Sequence, residues 1–372
     1  MRRCIFLVIT VLLAALLSTG CWDTMDISNR AFVTAIGVDK GEGTKKFKVS
    51  LEILKAFQLQ VQDAKESAAF VETVNADSLA LAMEEIQGRV PGLLSLAHLR
   101  VMLIGEKLAR ENFRDTIEFI QKNPEKALRL RLLFVKEGEA QEVLNTKPVL
   151  EKYVAGDLIA ITMIENRHAM MITNPLIDLI GELRSAGGKG LGGMIAVSAE
   201  EKKISHNGGA IFDKWKLVGW LSGEETQSAN WITGNANATV LVTAGGGAYA
   251  YRVDHSKVSV KPAWDNNGRL GFVVQLKTDG MILDEQKRDY DLTKPKEMDE
   301  MEKIFSREIT DQINAAVRKS QQELGVDYLG FGQTLRQKNP KAYNRLDWDK
   351  VYPEIPVTVQ VNASVTRFGL SP

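Results

Sequence analysis

The residues with the most distinctive chemical setting in this 372-residue chain are its two cysteines, Cys4 and Cys21. Arg2 and Arg3 precede an apolar run from Ile5 to Leu17 that only Thr10 interrupts, and the small residues Ser18-Thr19-Gly20 lead into Cys21. A short positive region, an apolar core and small residues at a cleavage point form the three parts of a secretory signal. The core has about 13 residues, too few for a bilayer-spanning helix, which needs roughly 20. Leu17-Ser18-Thr19-Gly20-Cys21 resembles the bacterial lipobox, in which the thiol takes a diacylglyceryl group before cleavage leaves that cysteine first. We therefore expect residues 1–20 to be removed and Cys21 to carry S-diacylglyceryl and N-acyl groups. A structural disulfide competes as a role for Cys21, yet its one possible partner, Cys4, lies in the segment that is removed.

Acylation changes what the rest of the chain has to do. Each buried methylene contributes about 0.8 kcal/mol, so one acyl chain binds reversibly whereas two or more hold a protein on a bilayer. Residues 21–29 form the lipidated tether. Trp22 to Asn29 span at most about 30 Å when fully extended. A body so tethered rides near the membrane, at high effective concentration for any integral-membrane partner.

Other chemistry is notable for its absence. His98, His168, His206 and His255 lack the i, i+4 spacing of a zinc helix, so no metal is expected. Ser205-His206 reads as loop rather than catalytic dyad, and no Gly-x-Ser-x-Gly elbow occurs. The adjacent pairs Glu84-Glu85 and Glu224-Glu225 point to different sides and cannot share a proton. Gly188, Gly190 and Gly193 formally fit a dinucleotide fingerprint. They follow a helical pattern and lead into a strand-like one, the reverse of what phosphate binding requires. We take 187–193 as a linker or loop and expect no catalytic residues and no cofactor. Charge is balanced, and loss of Arg2 and Arg3 leaves the body about two charges negative, which excludes the basic excess of a nucleic-acid binder.

Three tryptophans, Trp215, Trp220 and Trp231, fall close together. Exposed, they would suit a partner interface; buried, they would be core, and the apolar run around Trp220 favours that role. The expectation is that the segment from Trp215 to Gly234 packs its domain and shows one edge to a neighbour.

The elements that must position these residues alternate between strand and helix. Arg30 to Asp39 and Phe47 to Leu54 read as a hairpin, Asp77 to Val90 as a helix stopped by Pro91-Gly92, and Leu99 to Ile104 as a strand. A helix over Glu106 to Gln121, a strand over Leu128 to Lys136 and helical character from 139 to 185 follow. Beyond Ile204, strands dominate: Gly209 to Asp213, Lys216 to Leu221, Ala238 to Thr243, Tyr249 to Val260, Leu270 to Leu283 and Ile355 to Phe368. Apolar positions between Met298 and Leu324 recur at steps of three and four and predict one long helix, 297–324. The expected fold is α+β, mixed α/β and multi-domain, with mixed sheets flanked by helices. It comprises a 30–190 region with two subdomains split near 138, and a 204–372 domain, the composition shift at 187–205 marking the boundary.

Several motifs carry a family resemblance. Cys21-Trp22-Asp23, Ala35-Ile36-Gly37-Val38-Asp39, Gly209-Ala210-Ile211-Phe212, Leu217-Val218-Gly219-Trp220-Leu221 and Glu224-Glu225-Thr226 resemble the Ger(x)C family of spore germination lipoproteins. So do Leu329-Gly330-Phe331-Gly332, Asn339-Pro340-Lys341, Trp348-Asp349 and Tyr352-Pro353. The resemblance implies a C subunit of a nutrient germinant receptor, a fold of three mixed α/β domains and no enzymatic activity. It also implies a place on the outer face of the spore inner membrane beside integral-membrane A and B subunits. A rival from another class is an extracytoplasmic solute-binding lipoprotein that delivers a small molecule to a transporter. It calls for two similar lobes around a cleft, and no internal repeat supports them.

Overall fold

The computed structural model describes residues 30–55, 68–122, 130–164, 169–173, 175–185, 187–198, 200, 203–236, 240–244, 249–285 and 290–368. The expected export signal 1–20, Cys21, the expected tether 21–29 and His168 lie outside the described residues.

The first half of the chain builds a large sheet. β1 (Arg30–Lys40) and β2 (Phe47–Leu54) pair antiparallel, and β3 (Ala69–Ala76) adds to β2. Helix α1 (Leu79–Arg89) starts at Ser78, whose side chain accepts from the Leu81 N–H, and not at Asp77. After the short β4 (Leu93–Ser95), strand β5 (Val101–Gly105) runs parallel to β1. Helices α2 (Glu106–Glu111) and α3 (Arg114–Gln121) then lead to β6 (Arg131–Val135), parallel to β5. The single helix expected over 106–121 is broken because Phe113 turns inward. Its ring meets Phe134 and Phe212, each at 5.1 Å, and its N–H donates to the Trp215 carbonyl.

Helices α4 (Ala140–Leu144), α5 (Val154–Ile164) and α6 (Leu176–Arg184) precede β7 (Lys189–Val197). β8 (Ile204–Ser205) pairs with β7; β9 (Gly209–Asp213) and β10 (Lys216–Leu221) complete the sheet in the order β10-β9-β7-β6-β5-β1-β2-β3. Its middle is parallel and its two margins are antiparallel. Parallel strands are covered on both faces and so lack polar alternation. Here Ile36, Met102, Ile104, Leu132 and Phe134 face α1, α2, α3 and α6. Ala35, Val101, Leu103, Leu133 and Val135 face α4 and α5.

The glycine-rich stretch is therefore a buried strand from Lys189 onward and not a linker or loop, with only Gly187 and Gly188 in the turn before it. A β-carbon on Gly192 would sit 2.8 Å from the Phe212 ring and 2.9 Å from the Phe134 ring, and one on Gly193 would sit 2.6 Å from the Ile172 carbonyl oxygen. Glycine here admits large neighbours rather than flexibility. Gly192→Val is expected to lower stability by about 2 kcal/mol, the usual cost of overpacking a tight core. Urea denaturation checks this. The composition shift at 187–205 consequently falls inside one sheet, since β7 and β9 pair across it. Residue 138 lies in the turn between β6 and α4, within the same layer.

The second body begins with α7 (Gly223–Thr233), followed by β11 (Val240–Ala244) and the long hairpin β12 (Tyr249–Trp264) and β13 (Leu270–Glu285). Helix α8 (Pro295–Arg318) crosses to β14 (Val357–Phe368), which lies parallel to β13, giving a four-stranded sheet β11-β12-β13-β14. The long helix continues as a π turn, Lys319–Glu323. Three short helices, α9 (Phe331–Lys338), α10 (Pro340–Tyr343) and α11 (Trp348–Val351), fill the space before β14. Met301, Phe305, Ile309, Ile313 and Val317 of α8 are buried, as their spacing requires.

Candidate functional site

Several of the resemblance motifs among the described residues are joints in this framework. In Ala35-Ile36-Gly37-Val38-Asp39, Gly37 lets α4 come close, since a β-carbon there would stand 3.0 Å from that of Ala140. The Asp39 carboxylate then accepts from the Ala140 and Gln141 N–H groups at 2.7 and 3.0 Å, which fixes the start of α4. Burial pushes the Asp39 carboxyl up to about 6, against the pull of those two bonds.

The C-terminal motifs converge on Asp327. One of its oxygens accepts from the Gly330 and Phe331 N–H groups, both at 3.0 Å; the other accepts from Gly332 N–H at 2.6 Å and the Trp348 indole at 2.9 Å. Gly330 has φ +82°, and a β-carbon on Gly332 would lie 2.6 Å from the indole nitrogen. The Leu-Gly-Phe-Gly sequence and the following Trp thus close one buried carboxylate cage. Around it Phe272, Phe331, Tyr343, Trp348 and Tyr352 pack ring to ring, with centroids 5.0–6.2 Å apart. The π turn adds to this region. Gln321 donates to the Tyr352 and Ile355 carbonyls at 2.8 Å, and the Ser320 hydroxyl lies 2.5 Å from that of Tyr352.

Two elements join the bodies. Helix α7 has a capping box, Ser222 with Glu225, and is buried from Thr226 to Ile232. Asn230 donates to the Ala169 carbonyl at 2.8 Å on the first-body side, while the Trp231 indole donates to Gln312 of α8 at 3.0 Å. Lys189 of β7 forms the second joint. Its ammonium is 2.5 Å from Asp349 of α11 and 3.9 Å from Asp213, with the side chain only 6% exposed.

Between these joints lies a cleft of about 240 Å³ lined by Glu182, Ser185, Lys189, Thr233, Arg336 and Tyr343, among others. Burial pushes the Glu182 carboxyl up to about 7, opposed by one bond from the Leu191 N–H at 3.1 Å. A carboxyl whose folded pKa exceeds its unfolded one gives stability that is complete below about pH 4.5 and lost as pH rises through 7. Glu182→Gln should therefore match the parent near pH 4 and exceed it by on the order of 2–3 kcal/mol at pH 8. Denaturation at both pH values checks this; a difference independent of pH would contradict it.

The tryptophans separate. Trp231 is 0% exposed, in the core of the second body, so it shows no edge to a neighbour. Burial of both sides of α7 removed the freedom its sequence spacing left open. Trp215 and Trp220 are half-buried on the margin of the large sheet. Lys214 and Trp215, with φ of +49° and +67°, form the two-residue turn between β9 and β10, a type I′ turn lacking its usual Asn or Gly. The Trp215 ring leans on Phe113 at 5.7 Å, and the Trp220 indole donates to Glu106 at 3.3 Å. The sequence signalled neither Asp327 nor Glu182 as a site, although an Asp three residues before a positive-φ glycine is a readable cap.

Among the described residues no group of three or more His, Cys, Asp or Glu is placed to hold a metal, and no helix is long and apolar enough to cross a membrane. His98 packs edge-on to Phe32 and His255 bonds Asp279 at 2.9 Å, so these two imidazoles serve different bodies.

Comparison with known proteins places this architecture. Residues 23–196 match the family described as "Spore germination protein N-terminal domain", and residues 207–369 match "Spore germination B3/ GerAC like, C-terminal". Spore germination protein KC of Bacillus subtilis (strain 168) is 24% identical over 99% of this chain and 97% of its own length. Spore germination protein B3 of the same organism is 25% identical over 94% of each chain, and spore germination protein GerQC of Bacillus cereus is 23% identical over 100% of this chain and 99% of its own. The crystal structure of the GerBC protein superposes with a TM-score of 0.59 and 20% identity, covering 92% of this chain and all of that one, which shows the fold. The chain belongs to the Ger(x)C family of spore germination proteins.

Proposed function

We propose that this chain is a lipid-anchored, non-enzymatic subunit of a nutrient germinant receptor, acting in assembly and signalling at the outer face of the spore inner membrane. The observation that carries the reading is the pair of family matches, which run in order from residue 23 to residue 369. The lipobox at Cys21 supports the anchor. Integral-membrane A and B subunits are its partners, and the sheet margin bearing Trp215 and Trp220 is the candidate contact. Family motifs used as packing joints and caps, rather than as groups aimed at a substrate, suit a body that transmits contact between proteins.

Spores lacking the chain are expected to lose their response to the nutrients its receptor senses, read as the failure of optical density to fall. An unchanged response to every nutrient that triggers the parent would refute the role. The 240 Å³ cleft supports a second reading, capture of a small solute. Calorimetry with amino acids and sugars separates the two: tight saturable binding favours the solute-binding lipoprotein.

A further inference from the structure

Val149 and Leu150 are 76% and 86% exposed, the highest values among the large apolar side chains described. Looseness does not explain their exposure. Asp157, buried in the first turn of α5, accepts from the N–H groups of Val149 at 2.5 Å, Leu150 at 3.1 Å and Glu151 at 2.7 Å. One carboxylate thus holds a tight loop with two apolar side chains in water. Exposed Lys147 and Lys152 flank them, and exposed Glu151 follows Leu150.

The place of this loop on the sheet matters. The Lys152 carbonyl accepts from Ala68 N–H at 2.8 Å, and the Ala68 carbonyl accepts from Lys55 N–H at 2.7 Å. Ala69 pairs with Leu54, and Ile53 with Val33, so the loop abuts the end of the sheet at which β1 begins. β1 starts at Arg30, and the eight residues between it and Cys21 reach at most about 30 Å. An exposed apolar pair flanked by two ammonium groups and a single carboxylate, Glu151, fits a bilayer interface, with apolar tips among acyl chains and lysines among phosphates.

We propose that the Val149–Leu150 loop inserts into the interfacial layer of the membrane that holds Cys21. It rests on the anchored reading above and adds an orientation to it. One lipid attachment leaves a body free to rotate, whereas a second contact on the same side fixes which face meets the receptor subunits.

The test uses the mature lipidated chain in vesicles of phosphatidylglycerol and phosphatidylethanolamine, with an environment-sensitive dye on Leu150→Cys and, as control, on Asn267→Cys at the β12–β13 turn. Emission at 150 is expected to shift to the blue, with at least threefold stronger quenching by spin-labelled lipid than at 267. Adding Val149→Ser should reduce both effects. Equal quenching at the two sites on vesicle-bound chain would overturn the proposal. So would a shift that appears only when spore-membrane proteins are added back, which would assign the loop to a protein partner. The mass of the same sample reads the anchor separately. If Cys21 is unmodified, a Cys4→Ala, Cys21→Ala chain labelled at Leu150→Cys is titrated with the same vesicles; a shift upholds the loop and its absence overturns it.

Discussion

Replacing Asp327 with alanine is expected to cost about 4 kcal/mol and to lower the melting temperature by on the order of 10 °C. The carboxylate accepts four donors, the N–H groups of Gly330, Phe331 and Gly332 and the Trp348 indole, and is 7% exposed. Alanine offers none of them an acceptor, and each orphaned buried donor costs roughly 1–3 kcal/mol before relaxation. Asparagine keeps the shape but turns an amide toward donors, so Asp327→Asn should fall between the parent and Asp327→Ala. Urea denaturation followed by tryptophan emission measures all three; a loss below 1 kcal/mol for Asp327→Ala would mean that water reaches the cage.

The second large effect is expected at Trp231. The side chain is fully buried, and truncating a buried Trp to Ala typically costs about 3–5 kcal/mol through lost burial and the cavity left behind. Gln312 would also lose the indole donor at 3.0 Å. Gln312→Ala alone should cost about 1 kcal/mol. Trp231→Phe, which keeps a ring and drops the donor, should show coupling to Gln312→Ala in a double-mutant cycle. The core and interface roles give opposite results: core predicts a chain that unfolds early, interface a chain of normal stability that fails to assemble.

These two residues illustrate what was legible in the sequence. β1 and β2 followed from two strand-length apolar runs separated by the turn residues Lys40 to Gly43, and α8 from helical spacing, because it buries one stripe against a single sheet. Helix α7 did not, since it is buried on both sides and carries no apolar stripe; its capping box, Ser222 with Glu225, and the left-handed Gly234 at its end were its local marks. Strand β3, Ala69–Ala76, also went unread, being half-buried and interrupted by Glu72. The stretch 187–193 resembled a linker because glycine marks both flexibility and close approach, and only the rings of Phe134 and Phe212 decide between them. The cage around Asp327 was foreshadowed by its motif, while the acceptor at its centre needed the fold to bring Gly332 and Trp348 to one carboxylate.

The most direct test is cross-linking followed by affinity purification of the tagged chain from dormant-spore inner membranes, with Cys21→Ala in parallel. The account predicts that two integral-membrane receptor subunits co-purify with the parent chain, and that Cys21→Ala leaves the membrane fraction without them. Recovery of the parent chain free of any membrane partner, in spores that germinate normally on its loss, would contradict it.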